Sequence, residues 1–194
     1  MYRMKIRLTT DYATTDLVTQ EQAEKQLSIS AGYDTTRVLT FLDSARKQVE
    51  HDSGRAILNT TFTLVLDYFP PVIILPKGRI QAVNSVKYLI DGESEFTTWD
   101  SSNYYTLLNV DDGTIRPVDD WPGFLENERD GVVEVEFVAG YGSSANIDTS
   151  WAETAILLKL SELYDHCDES QAYRSQVDRY KHYSLAYEYN EMRY

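Results

Sequence analysis

The apolar residues of this chain change their spacing twice, and these changes divide the chain into a helical, a β and a second helical part. They recur at helical spacing up to segment 49–55, alternate up to segment 137–142, and then return to helical spacing. The sequence therefore predicts an α+β fold in which an antiparallel β region is inserted into a small helical bundle. The residues that mark the two junctions are Gly54, Arg55, Gly140, Tyr141 and Gly142.

Local capping signals place the helices. Thr19 is followed three residues later by Gln22, and Ser150 by Glu153, which is the spacing of a capping box. Gly54 stands where a left-handed residue would end the second helix. The predicted helices span about 19–27, 35–53 and 150–166, and we expect the last one to pack on the first two.

The β insertion, about 60–140, is predicted from alternation and turn residues. Asp91-Gly92 predicts a hairpin turn, and a second turn is expected at Gly113. The segment 132–139 alternates apolar residues with glutamates. We expect five to seven short strands without helical crossovers, in an antiparallel sheet or a small barrel-like sandwich.

The C-terminal tail, 169–194, carries tyrosines at seven-residue intervals, which predicts an amphipathic helix. Tyrosine combines a large apolar ring with a hydroxyl group and is enriched at protein interfaces. We therefore interpret the tail as a protein-binding helix, with packing on its own domain as the alternative. The predicted contact residues are Tyr173, Val177, Tyr180, Tyr183, Tyr187 and Tyr194.

The N-terminal segment 1–10 alternates basic and apolar residues, with Arg3, Lys5 and Arg7 as the basic ones. The pattern is typical of a strand, and it leaves two possibilities open. The segment is either an extra strand of its own sheet or an arm that pairs with a neighbouring molecule.

The charge argues against a general nucleic-acid-binding surface. The chain has 18 Lys and Arg against 31 Asp and Glu, a net charge of −13. Residues 1–60 hold 8 of each sign, so the acidic excess lies after residue 60. A phosphate-binding face would carry the opposite sign. No apolar run approaches the length of about 18 residues that a membrane helix needs, so we expect a soluble protein with no membrane contact.

Catalytic and metal-binding patterns are weak. The glycine loop that starts at Gly140 lacks the third glycine and the lysine of a phosphate loop. The acidic pairs 111–112 and 119–120 are typical of turns, although a small hydrolase that uses such carboxylates stays an alternative. Residues 166–169, which include the single cysteine, Cys167, cannot all converge on one ion. We expect no catalytic, cofactor or metal site, and hence no enzyme.

The β region lies between the two junctions, with Leu75-Pro76 after a short apolar strand and Trp121-Pro122 before the last strand. This arrangement resembles that of a family of bacteriophage neck proteins. These are the head-tail connectors, also called adaptor or head completion proteins, and the resemblance covers about residues 9–166. It implies a connector domain at 1–168 and a portal-contacting tail at 169–194.

The resemblance also implies a location and partners. The protein would form a homo-oligomeric ring of about twelve copies in the virion neck, after assembly in the host cytoplasm. The portal protein would lie on one side and a head-closure (stopper) or tail-terminator protein on the other, and DNA would pass through the channel without specific binding. A head-closure or tail-terminator protein of the same neck is the alternative identity, but those proteins are more fully β in character.

Overall fold

The computed structural model describes residues 5–8, 17–108, 113–123, 129–141, 149–165 and 177–178. These residues form three α-helices and eight β-strands, and the predicted α+β class is confirmed. The helices are α1 (Gln20–Gln26), α2 (Thr35–Ser53) and α3 (Ser150–Asp165). The strands are β1 (Lys5–Leu8), β2 (Thr60–Leu66), β3 (Ile73–Leu75), β4 (Ile80–Leu89), β5 (Phe96–Trp99), β6 (Tyr104–Leu108), β7 (Gly113–Pro117) and β8 (Val133–Ala139).

The chain divides into two compact units, and one division, between Gly140 and Tyr141, falls within the predicted junction 137–142. Of the described residues, unit 1 comprises 5–8, 59–108, 113–123 and 129–140, and unit 2 comprises 17–58, 141, 149–165 and 177–178. Unit 1 therefore contains all the described strands, and unit 2 contains the three helices.

The helix ends of unit 2 follow from their capping residues. The hydroxyl of Thr19 accepts the N–H of Gln22, and the Gln22 side chain accepts the N–H of Thr19, so the predicted capping box is present. Helix α2 ends at Gly54, which has the left-handed φ of 70°. Helix α3 contains Ser150 as its first residue, so the predicted cap is wrong by one position. The carbonyl of Thr149 instead accepts the N–H of Glu153.

The core of unit 2 lies among the three helices. Helix α2 contributes one apolar stripe, and α3 contributes a second. Burial of both stripes stabilises helices that would be marginal alone. The fully buried members include Val38, Ala45, Val49, Ala155, Ile156 and Leu160.

Unit 1 contains two antiparallel sheets. The larger has the strand order β1-β2-β8-β4-β5, and the smaller has the order β3-β7-β6. Strand β8 alternates buried and half-buried residues, with Phe137 and Val135 fully buried and Glu134 and Glu136 on the other face. Phe137 stacks on Phe62 of the neighbouring β2, with ring centroids 5.6 Å apart.

The two predicted hairpins are confirmed. Strands β4 and β5 pair around the Asp91-Gly92 turn, with Leu89 in register with Phe96. Strands β6 and β7 pair with Leu108 in register with Gly113. Among the described residues, no helix is long and apolar enough to cross a membrane.

Candidate functional site

The two junctions meet on the unit 2 side through hydrogen bonds. The Nη1 of Arg55 donates to the hydroxyl of Tyr141 at 3.0 Å, and the backbone N–H of Tyr141 donates to the carbonyl of Ile57 at 3.1 Å. Both Arg55 and Tyr141 are buried, with 8% and 7% of their surface exposed. These two hydrogen bonds thus join the segment 55–57, after which the chain leaves unit 2, to Tyr141, where the chain returns.

A carboxylate at the end of α2 fixes the turn beside these bonds. Oε1 of Glu50 accepts the N–H of Ile57 at 2.9 Å and that of Leu58 at 3.4 Å. Its other oxygen accepts from Arg46 at 3.4 Å. Two backbone N–H groups of the segment that follows α2 are therefore bound by one carboxylate of the helix, which fixes the direction in which the chain leaves the helix.

The glycine junction is held separately in unit 1. The N–H of Gly140 donates to the carbonyl of Arg79 at 2.9 Å, and its own carbonyl accepts Nε2 of Gln81 at 2.6 Å. Gly140 has a φ of 139°, which an L side chain rarely adopts. Gly142 lies outside the described residues. The segment that starts like a phosphate loop is, at Gly140, a hydrogen-bonded strand end.

The acidic patterns that were weighed as chemical sites do not assemble into one in the described part of the chain. No group of three or more His, Cys, Asp or Glu that could hold a metal ion occurs there. His51 is exposed, and its Nδ1 lies 3.0 Å from Oδ1 of Asp52. The acidic pair 111–112 and the group 166–169 lie outside the described residues. Asp119 and Asp120 are exposed on a loop.

Of the six predicted contact residues of the tail, the structure describes Val177. Val177 is 3% exposed and belongs to the apolar core of unit 2, so at this position the stripe packs on its own domain. The five tyrosines at 173, 180, 183, 187 and 194 lie outside the described residues. Their role in binding a portal stays a prediction.

An aromatic cluster in unit 1 was not predicted from the sequence. The rings of Phe69 and Trp121 stack at 4.5 Å between centroids, and Trp99 lies 5.0 Å from Trp121 and 5.5 Å from Tyr104. These rings are half-buried. Burial, and then the nearby charge of Asp100, raise the pKa of the Tyr104 hydroxyl. The only hint in the sequence is that tryptophan and phenylalanine stand beside prolines at 70 and 122.

One face of the smaller sheet exposes apolar side chains beside Arg116, which is in register with Tyr105. Tyr105 and Leu107 point to the same side of β6, and 46% and 52% of their surface is accessible. Val118 follows β7, is 58% exposed, and donates its N–H to the carbonyl of Asn103 at 2.8 Å. Exposed apolar side chains that are neighbours on one strand face, as Tyr105 and Leu107 are, are more typical of surfaces that bind another protein than single scattered ones.

The described part of unit 1 thus presents exposed apolar side chains on β6 and after β7, together with half-buried aromatic rings. The junction hydrogen bonds hold the exit and return of the chain, and the apolar and aromatic residues lie on the β region.

Solved structures of phage-like particles contain chains with the same fold. A chain in the neck of an empty gene transfer agent particle, computed with C6 symmetry, superposes with a TM-score of 0.74 at 17% identity, covering 92% of this chain and 96% of that one. A chain of the native gene transfer agent virion gives a TM-score of 0.73 at 17% identity, covering 92% and 95%.

A third chain, from the neck of a native gene transfer agent particle computed with C12 symmetry, gives a TM-score of 0.69 at 16% identity, covering 92% and 96%. No protein-family model matches the sequence. No curated protein matches it either. The likeness covers 92% of this chain and 95% or 96% of each matched chain, so the fold is shared over most of their length.

Proposed function

We propose that this protein is a structural component of the neck of a phage-like virion, where it serves as the head-tail adaptor beneath the portal. The observation that carries the proposal is the whole-length likeness to neck chains, with 92% of this chain and 96% of the neck chain covered. The order of elements also supports it, because two helices precede all the strands except β1 and a third helix follows them. Head-closure and tail-terminator proteins, the alternative, are more fully β in character.

The proposed working form is a ring of about twelve copies. A ring closes when each subunit offers one surface to a different surface of the next subunit around a single axis. Support comes from the symmetries with which the similar neck particles were computed, C6 and C12. The exposed apolar face at Tyr105, Leu107 and Val118 is one surface available for such contacts or for the next neck protein.

The proposed mechanism is mechanical and requires no turnover. The ring extends the portal channel, offers a platform to the head-closure (stopper) or tail-terminator protein, and lets DNA pass during ejection. With a net charge of −13, carboxylates that line the passage would repel DNA phosphates and prevent adhesion. The assembled ring should therefore show no measurable affinity for duplex DNA at low salt, and affinity equal to that of a basic DNA-binding domain would contradict this part.

The tyrosine tail is proposed to contact the portal. A chain that ends at Asp168 lacks all five tyrosines of the stripe together with Val177, which is buried in unit 2. Truncation at Asp168 would therefore also remove a core residue. A variant that keeps Val177 and replaces Tyr180, Tyr187 and Tyr194 with serine tests the tyrosines alone. We expect weaker binding to the portal ring by sedimentation, with the unfolding midpoint of the chain unchanged. Binding at full strength would remove the tail from the portal interface.

The proposal as a whole is tested by mixing the purified chain with its cognate portal ring and measuring the stoichiometry of the complex. About one copy per portal subunit supports the adaptor role. A chain that binds a purified tail-terminator or stopper but ignores the portal in every mixture would instead support another position in the neck.

A further inference from the structure

Strand β6, Tyr104–Leu108, forms an open edge of the smaller sheet. In the strand order β3-β7-β6 it pairs with β7 on one side, and no described strand pairs with it on the other. Its register with β7 runs without a bulge. The strand contains neither a charged residue nor a proline, which are features that proteins use to keep an edge from pairing with another chain.

The hydrogen-bond pattern of this edge follows from the register. The N–H of Val118 donates to the carbonyl of Asn103 at 2.8 Å, one position beyond the register pair of Tyr104 with Pro117. Hydrogen-bonded and non-bonded pairs alternate along an antiparallel ladder, so the pair of Tyr104 with Pro117 is a non-bonded one. Pro117 fits this position because it has no N–H to donate.

Every second residue of β6 therefore directs its N–H and C=O groups away from β7. These residues are Tyr104, Thr106 and Leu108, whereas Tyr105 and Leu107 bond to β7. No backbone hydrogen bond between described residues fills the outward positions. The edge thus offers the row of donors and acceptors that an added strand uses.

Exposed apolar side chains concentrate at the same place. Of the seven large apolar side chains that are exposed in the described part of the chain, four lie on β6 or directly after β7. Tyr105 and Leu107 share one face of β6, and the register places Arg116 and Val118 on that face as well. A strand that pairs with β6 therefore also covers part of this apolar surface.

Arg116 indicates the charge that the added strand carries. Its side chain is exposed and forms no salt bridge with a described residue. A strand added to β6 lies about 9–10 Å from β7, which an arginine and a glutamate side chain span together. A carboxylate on that strand complements Arg116.

Charge also argues against a second copy of this chain as the occupant. The described edge strands are β1, β3, β5 and β6, and none of them contains an acidic residue. Strand β1 would instead bring two further basic residues. Pairing of β6 with β6 would be a two-fold contact, which does not continue around a cyclic ring.

We infer that β6 is the docking edge for an extended segment of the next neck protein on the tail side, which adds a fourth strand to the smaller sheet. The segment alternates apolar residues with a carboxylate that pairs with Arg116. This inference rests on the proposed adaptor function and names one of its contacts. In this mode of binding, main-chain hydrogen bonds supply affinity and side chains supply specificity.

A backbone substitution tests the added strand. Thr106→Pro removes an outward N–H and leaves the hydrogen bonds to β7 in place, because proline is accepted at an edge position that faces away from the sheet. Thr106→Val is the matched control, since it keeps the N–H and the size of the side chain. Rings of each variant on the portal are mixed with the purified head-closure or tail-terminator protein, whichever the wild-type ring binds, and sedimented. We expect Thr106→Pro to weaken that binding by about tenfold or more, and Thr106→Val to stay within about twofold of the wild type.

A charge reversal tests the complementary carboxylate. Arg116→Glu should weaken the same binding by about tenfold, because like charges then face each other. Arg129→Glu makes the same change of charge at an exposed arginine outside the smaller sheet and should bind as the wild type does. Equal losses in the two variants would indicate a general charge effect and contradict a carboxylate paired with Arg116.

Hydrogen exchange separates strand addition from contact with the apolar face alone. In the free wild-type chain, the outward amides of Thr106 and Leu108 should exchange faster than those of Tyr105 and Leu107, which bond to β7. In the complex with the tail-side protein, the outward amides should become as protected as their neighbours. This measurement needs no variant, so it decides the question even if Thr106→Pro fails to fold.

The outcomes distinguish this inference from the adaptor proposal. Weak binding by Thr106→Pro with newly protected amides at Thr106 and Leu108 supports strand addition. Full binding by a folded Thr106→Pro, or unchanged exchange of those amides in the complex, contradicts it, and about one copy per portal subunit then still supports the adaptor role. A wild-type ring that binds the portal but neither tail-side protein also contradicts strand addition alone. A chain that binds none of these proteins contradicts both proposals.

Discussion

Replacing Tyr141 with phenylalanine removes one oxygen atom from the hydrogen bond that joins the two junctions. That oxygen accepts Nη1 of Arg55 at 3.0 Å, and the two side chains are only 7% and 8% exposed, so water replaces the lost bond poorly. Hydrogen bonds to charged groups contribute about 1.5–3 kcal/mol, and we expect the free energy of unfolding to fall by about 2 kcal/mol. For a chain of this size, that loss lowers the midpoint of thermal unfolding by about 4–8 °C.

The matched control is Tyr164→Phe, which deletes the same atom at a half-buried position. The hydroxyl of Tyr164 donates to Oδ2 of Asp34 at 3.5 Å, a distance at which a hydrogen bond is weak. The ring stays beneath Arg37, whose guanidinium carbon lies 4.5 Å from the ring centroid. We expect a loss of at most about 0.5 kcal/mol. Thermal and urea unfolding followed by circular dichroism measure both variants, and equal losses would refute the account of the junction.

Three further variants, two of them with a matched control, test the fold. Phe137→Ala removes a ring that is 0% exposed and stacked on Phe62, and should lower the free energy of unfolding by about 3–5 kcal/mol. Its control, Leu107→Ala at 52% exposure, should change that free energy by less than about 0.5 kcal/mol. Urea unfolding measures both. Gly54→Ala forces an L side chain to a φ of 70° and should cost about 1–2 kcal/mol, whereas Gly123→Ala, with no atom within 4 Å of the added carbon, should cost much less. Burial raises the pKa of Asp43, but hydrogen bonds from Lys47 and Arg46 outweigh it and hold that pKa below its ordinary value. The carboxylate therefore stabilises the fold at neutral pH, and the stability difference between the wild type and Asp43→Asn should shrink as pH falls through the lowered pKa; a difference that grows on acidification would contradict this.

The helices were predictable to within a residue because their ends are set by neighbours in the sequence. The capping box links Thr19 to Gln22, three residues later, and the end of α2 depends on Gly54 alone. The structure contains both features. At α3 the two adjacent residues Thr149 and Ser150 can both cap a helix, and a local pattern does not choose between them.

The order of the strands could not be predicted, since it depends on pairings between distant segments. Strand β8 lies between β2 and β4, whose residues are about 50–80 positions away in the chain. The aromatic cluster combines Phe69, Trp99 and Trp121 from three separate segments, and nothing in the local pattern of any one of them indicates the others. Val177 shows the limit of a helical stripe, which marks an apolar face but does not identify what that face packs against.

The mass of the assembly that the purified chain forms with its cognate portal ring tests the central claim most directly. Light scattering coupled to size exclusion should show the portal mass increased by about twelve times the 22.3 kDa of one chain if the protein is the adaptor. A portal mass that stays unchanged in every mixture, with the chain eluting separately, would contradict the account.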